Sequence, residues 1–73
     1  MGRPPPITNR VREMRELHGA MSQAALGEAI GVTRQTVIAI EQERYSPSLE
    51  LAFQIARVFG VGLDDVFQYP RGE

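Results

Sequence analysis

Residues 23–42 read QAALGEAIGVTRQTVIAIEQ, and this stretch decides the architecture. Leu26 and Ile30 stand four residues apart and so share one face of a helix. Ser22, just ahead, has the short hydroxyl side chain that caps a helix start. Gly31 closes the helix, because a tight turn needs a positive φ that glycine adopts without strain. Only Val32 separates Gly31 from Thr33, a second capping residue, and Val37 and Ile40 mark the buried side of the helix that follows. Two helices therefore meet across a turn of about three or four residues. Gly27 stands where they come closest, so a side chain larger than alanine would wedge them apart. Leu26, Ile30, Val32, Val37 and Ile40 supply the apolar contacts that lock the crossing angle.

Outward from this pair, the chain divides into about five helical pieces with no alternating strand pattern, no internal repeat and no low-complexity linker. The prolines at 4–6 preclude a helix through them, so the first helix is expected to begin near Ile7 or Thr8. Its core stripe is Ile7, Val11, Met14 and His18, and Gly19 interrupts it. Tyr45, Ser46 and Pro47 break the chain again, and Ser48 caps a fourth helix running to about Phe59. Gly60 and Gly62 bracket its end, and Leu63, Val66 and Phe67 form a last short apolar helix before Pro70. The fold class is all-α: a flexible arm over 1–6, one domain over 7–69 and a tail over 70–73.

Composition narrows the function. Seventy-three residues, 42% hydrophobic and 23% charged, support one small core and no large enzyme. Cysteine is absent and histidine occurs once, at His18, so thiolate sites and a self-sufficient zinc site are excluded. No metal or cofactor is expected, and His18 reads as a helix-end residue beside the last carbonyls. Paired catalytic carboxylates, a nucleophile with a base and a phosphate-cradling glycine loop are all missing from the pattern, so no enzyme is expected. No apolar run reaches the roughly 20 residues of a membrane span, and the start lacks the layout of a signal peptide or a myristoylation site, which points to the cytoplasm. Net charge is -1 and the pI about 5.8, which argues against a uniformly basic polyanion binder. Residues 1–46 hold six arginines against five glutamates, a balance of +1, while 47–73 hold two arginines against four acids, a balance of -2. The absence of lysine suits bidentate phosphate or guanine contacts but reads more readily as codon usage.

From about Asn9 to Phe67 the sequence resembles the lambda-repressor-like, Cro-type (XRE) family of helix-turn-helix transcriptional regulators. The matching segments are Gln23 opening the second helix, the spacing of Leu26, Gly27, Ile30 and Gly31, and Thr33-Arg34-Gln35-Thr36 opening the third. Tyr45-Ser46-Pro47-Ser48-Leu49 and the closing Phe59-Gly60-Val61-Gly62-Leu63-Asp64-Asp65-Val66-Phe67 complete them. The resemblance implies a compact five-helix DNA-binding domain whose third helix lies in the major groove of double-stranded DNA. At 100° per residue Gln35, Ala39 and Gln42 point away from Val37 and Ile40, with Arg34 at the exposed tip. Arg34 then suits guanine O6 and N7, Gln35 suits adenine N6 and N7, and Ala39 and the flanking Ile38 suit a thymine methyl. Taken alone, Arg34 and Gln35 read more readily as solvated first-turn residues; within the full motif the balance reverses toward contact. Gln23 looks like the residue that touches a backbone phosphate, and Arg44 and Tyr45 like the opposite phosphate grip, with packing of Tyr45 on Pro47 as the alternative. Arg15 resembles the arginine that pairs with a glutamate late in the third helix, here Glu41, in a structural ion pair.

Three departures stand out. One extra residue lies in Gly19-Ala20-Met21, so contacts from the first-helix arginines are not assigned. Gln42 replaces the usual asparagine, and Glu43 replaces the glycine that commonly ends the third helix, removing an easy left-handed cap and bringing an acid near phosphate. The fourth helix carries its polar residues Glu50, Gln54 and Arg57 on one stripe, leaving apolar residues over about 220° of its circumference, more than one small core uses. With Phe59, Val61, Leu63, Phe67 and Tyr69, this surplus predicts a two-fold homodimer and a near-palindromic operator. The expected function is a stand-alone, nucleoid-associated regulator, most simply a repressor, with no small-molecule ligand. The alternative is an antitoxin-like or co-regulator module that binds another protein through its apolar C-terminal surface. The N-terminal Arg3 and its prolines suit a minor-groove arm, although such a tail is more often disordered.

Overall fold

The computed structural model describes residues 7–70; the arm expected over 1–6, with Arg3, and residues 71–73 lie outside the described residues. Five helices follow one another: α1 Val11–Leu17, α2 Gln23–Ile30, α3 Arg34–Glu41, α4 Leu49–Phe59 and α5 Leu63–Val66. Two short strands, β1 Thr8–Asn9 and β2 Phe67–Gln68, pair antiparallel, with Thr8 opposite Gln68 and Asn9 opposite Phe67.

The expected caps hold α2, α3 and α4. Ser22, Thr33 and Ser48 each accept a hydrogen bond from the amide three residues on, at 2.9, 3.2 and 3.1 Å. Gly31 and Gly60 take left-handed φ values of 78° and 69°. Behind each, the next amide reaches back to the helix, from Val32 to the Gly27 carbonyl and from Val61 to that of Ala56, at 2.8 and 3.1 Å.

Four details differ from the sequence reading. The first helix begins at Val11, not at Ile7 or Thr8. The Asn9 carboxamide oxygen accepts from the Val11 amide at 3.1 Å and its nitrogen donates to the Ile40 carbonyl at 2.8 Å, so residues 8–9 stay extended and pair with β2. Phe67 belongs to that strand rather than to α5. A Cβ on Gly27 would lie 2.8 Å from the Val32 carbonyl oxygen, so it is the turn backbone that excludes even alanine. And Glu43 does form a left-handed cap, at φ 61°. The Glu43 and Arg44 amides donate to the Ile40 and Ala39 carbonyls at 2.9 and 3.0 Å, while the Glu43 carboxylate accepts from the Asn9 amide at 3.3 Å. That tether holds a glutamate in a backbone region that favours glycine.

The core gathers Val11 and Met14 of α1, Leu26 and Ile30 of α2, Val37 and Ile40 of α3, Ile55, Ala56 and Phe59 of α4, and Val66 of α5. His18 ends α1, its Nδ1 2.9 Å from the Met14 carbonyl and its ring tilted 48° against Phe59 at 5.2 Å. Among the described residues no helix is long and apolar enough to cross a membrane.

Candidate nucleic-acid interface

The site is built around α3. Val37 and Ile40 are each 1% exposed and anchor the helix in the core, which turns the opposite side of α3 outward. On that side Arg34, Gln35 and Gln42 are exposed, and Thr36, Ile38 and Ala39 are half-buried. The outward ridge separates two hollows. One is walled by Arg12, Ser22, Gln23 and Ala24 on the α1 and α2 side and by Arg34, Ile38 and Gln42 of the α3 segment, with Arg15 and Glu41 beneath. The other is lined by Gln35, Thr36, Ala39 and Tyr45.

The base of the first hollow is an ion pair in which each member makes a further hydrogen bond. Arg15 Nε and Nη2 meet the two carboxylate oxygens of Glu41 at 2.6 and 3.1 Å, a bidentate fit. The remaining Arg15 nitrogen, Nη1, donates to the Met21 carbonyl at 2.7 Å, and Gln23 Nε2 donates to Glu41 Oε1 at 3.0 Å. The side chains of Arg15 and Glu41 are 12% and 6% exposed, so neither charge is offered to a partner. The pair ties α1 to α3, and the Met21 contact ties in the turn containing the extra residue. That turn runs through Gly19 and Ala20, both left-handed at φ 75° and 55°, and its Met21 amide donates to the Arg15 carbonyl at 3.0 Å. The turn is thus tied back to Arg15, and α1 stays docked against α3.

The other site residues fall into distinct surroundings. Gln23, read from sequence as a phosphate contact, has one amide hydrogen committed to Glu41. Thr33 and Thr36 are engaged with each other in the α3 cap, their hydroxyls 3.2 Å apart. Arg44 Nε donates to Gln42 Oε1 at 2.9 Å. Tyr45 is half exposed beside Gln35, Thr36 and Ala39. Arg12, left unassigned by the sequence reading, stands on the rim of the first hollow, loosely paired with Glu16 at 3.4 Å. Its three-residue spacing from Arg15 places both on one side of α1, a signal that was present in the sequence.

A second surface is formed by a different set of residues. Two adjoining apolar hollows share Ile7, Leu63 and Phe67, and Leu49, Phe53 and Tyr69 extend them. Leu49, Phe53 and Tyr69 are 67%, 48% and 71% exposed. Phe59 does not belong here: it is 3% exposed in the core, facing His18, and Val61 is half-buried against the same core. Leu49 and Phe53 take its place, the concrete form of the apolar surplus on α4.

Two helices crossing over a glycine turn, the second with a polar ridge turned outward, define a helix-turn-helix module. A helix-turn-helix family model matches residues 11–66, and the chain belongs to that family, in its lambda-repressor-like, XRE-type branch of transcriptional regulators. An uncharacterized helix-turn-helix-type transcriptional regulator of Methanocaldococcus jannaschii is 48% identical over 67 residues, spanning 92% of this chain and all of that one. Another, from Bacillus subtilis, is 52% identical over 61 residues, 84% of this chain and 91% of its own. The fold matches a crystal structure from Bacteroides fragilis, of a protein assigned as DNA-binding, with a TM-score of 0.74 and 18% identity over 85% of this chain and 98% of that one.

Proposed function

We propose that this protein is a sequence-specific regulator that binds double-stranded DNA through α3, acts as a homodimer on a near-palindromic operator and represses by covering a promoter at the nucleoid. The observation that carries this reading is the outward ridge of α3. Arg34, whose guanidinium makes no ion pair among the described residues, leads it, followed by Gln35, Ala39 and Gln42 between two hollows. A helix about 10 Å across fits the major groove, and a ridge of one arginine, two amides and a methyl group matches the hydrogen-bonding and methyl features of base edges. Arg12 and Arg44 flank the ridge as cations for the phosphate strands.

The test is selection of bound duplexes from a random pool by the purified protein, with sequencing of the survivors. Enrichment of an inverted repeat with half-sites about 34 Å apart is the expected result. A single unrepeated site removes the dimer and keeps DNA reading. The exposed apolar face formed by Leu49, Phe53 and Tyr69 gives the alternative its footing. Absence of enrichment even at low salt would transfer the function to a protein partner seated there, as in an antitoxin-like or co-regulator module.

A further inference from the structure

We propose that Arg44 makes Gln42 a donor-only reader, so that the base it meets is guanine rather than adenine; this rests on the DNA-reading role of α3. An unconstrained glutamine side chain reads adenine with two bonds, its nitrogen donating to N7 and its oxygen accepting from N6. In this protein the oxygen of Gln42 already accepts from Arg44 Nε at 2.9 Å. The direction of that bond is fixed by chemistry, because a guanidinium only donates and only the oxygen of the carboxamide accepts. A cation lying on the oxygen opposes the approach of a second donor such as the adenine amino group. What remains for a base are the two hydrogens of the Gln42 nitrogen, joined by the unused hydrogens of Arg44. That edge suits guanine, whose N7 and O6 are both acceptors.

The backbone places Arg44 for this. The left-handed turn at Glu43 brings the Arg44 amide back onto the Ala39 carbonyl at 3.0 Å, which fixes Arg44 beside the last turn of α3. The same turn carries the Glu43 carboxylate to the Asn9 amide. The neighbouring acid is thus drawn toward β1, and Arg44 forms no ion pair among the described residues. Arg44 is therefore a positioning residue for Gln42 as well as a cation beside the phosphates.

Selection from a random duplex pool by the wild-type protein and by the Gln42→Ala and Arg44→Met variants tests this. Gln42→Ala identifies the base position that Gln42 reads, because preference is lost there alone. The expected wild-type base at that position is guanine. Arg44→Met is expected to move that position toward adenine by at least several-fold while other positions keep their preference, and Arg44→Lys to restore guanine in part. Adenine at that position in the wild type overturns the proposal, as does an Arg44→Met variant that loses affinity for all duplexes alike with no change of base. If the wild type enriches no duplex, the DNA-reading role falls and this inference falls with it.

Discussion

Arg34 and Glu41 sit at opposite ends of α3 and meet opposite fates. Glu41 accepts three hydrogen bonds and is nearly buried, whereas Arg34 projects from the first turn without an ionic partner among the described residues. A charge kept unpaired at the surface is available to a ligand, so Arg34→Ala is expected to cost about 1–3 kcal/mol of binding and to relax discrimination at one base position. Titration against a selected duplex and its single-base variants measures both effects. Equal weakening on every variant would assign Arg34 to the phosphates instead. At Ala20 the backbone holds a left-handed φ with no glycine to ease it. Ala20→Gly is expected to raise stability by about 1 kcal/mol, read as a higher midpoint in urea denaturation, and a lower midpoint would show that the turn is unstrained. The serine and threonine caps and the glycine turns were legible in the sequence because each depends on residues within one turn of itself. The left-handed Glu43 was not, because its tether is Asn9, 34 positions away, and no local pattern records that bond.

At the scale of elements, α1 and α3 share the core and are further joined through Arg15 and Glu41, with α2 drawn in by Gln23. Removing one member leaves a charge near the protein interior without its partner, so Arg15→Met or Glu41→Gln alone is expected to cost about 3 kcal/mol. The double variant should cost well under the sum, since neither charge is then stranded. A double-mutant cycle by chemical denaturation with no coupling between the two would relegate the pair to surface decoration. Apolar spacing located α2, α3 and α4 well, since each packs a regular stripe into the core. The ends of the chain were less legible. Thr8, Asn9, Phe67 and Gln68 become strands only by pairing with each other, Gln68 standing 60 positions after Thr8, and a two-residue strand has no periodicity to display. Arg12 was missed because the extra residue in the Gly19–Met21 turn left the placement of α1 against α2 open. Its rim position follows from the Arg15 contacts that dock the helix.

At the scale of the whole molecule, the polar ridge of α3 and the apolar face around Phe53 are separate surfaces, so one can meet DNA while the other meets a second copy. Phe53 lies about half in solvent, outside the set of core side chains, and a charge there spares the fold. Phe53→Glu is expected to convert a dimer at micromolar concentration into a monomer with unchanged helical content, measured by sedimentation equilibrium and circular dichroism. A parent protein that is already monomeric at that concentration would remove the homodimer. Burial decided which aromatic residues could serve this surface. Phe59 and Phe53 both lie on an apolar helix, and a single strand of sequence does not tell which of them the core claims.

Thr8 lies opposite Gln68, so the described chain returns to where it began, like a bracelet closed by a two-rung clasp. The order in which the helices occur along the chain is then a matter of where the bracelet is opened rather than of how its pieces pack. A circularly permuted chain opened beside the exposed Ser46 and linked across the clasp would keep α2 and α3 whole on one arc and α4 and α5 on the other. The crossing of α2 and α3 and the apolar face around Phe53 are, in that sense, properties of a closed circuit rather than of a line of sequence.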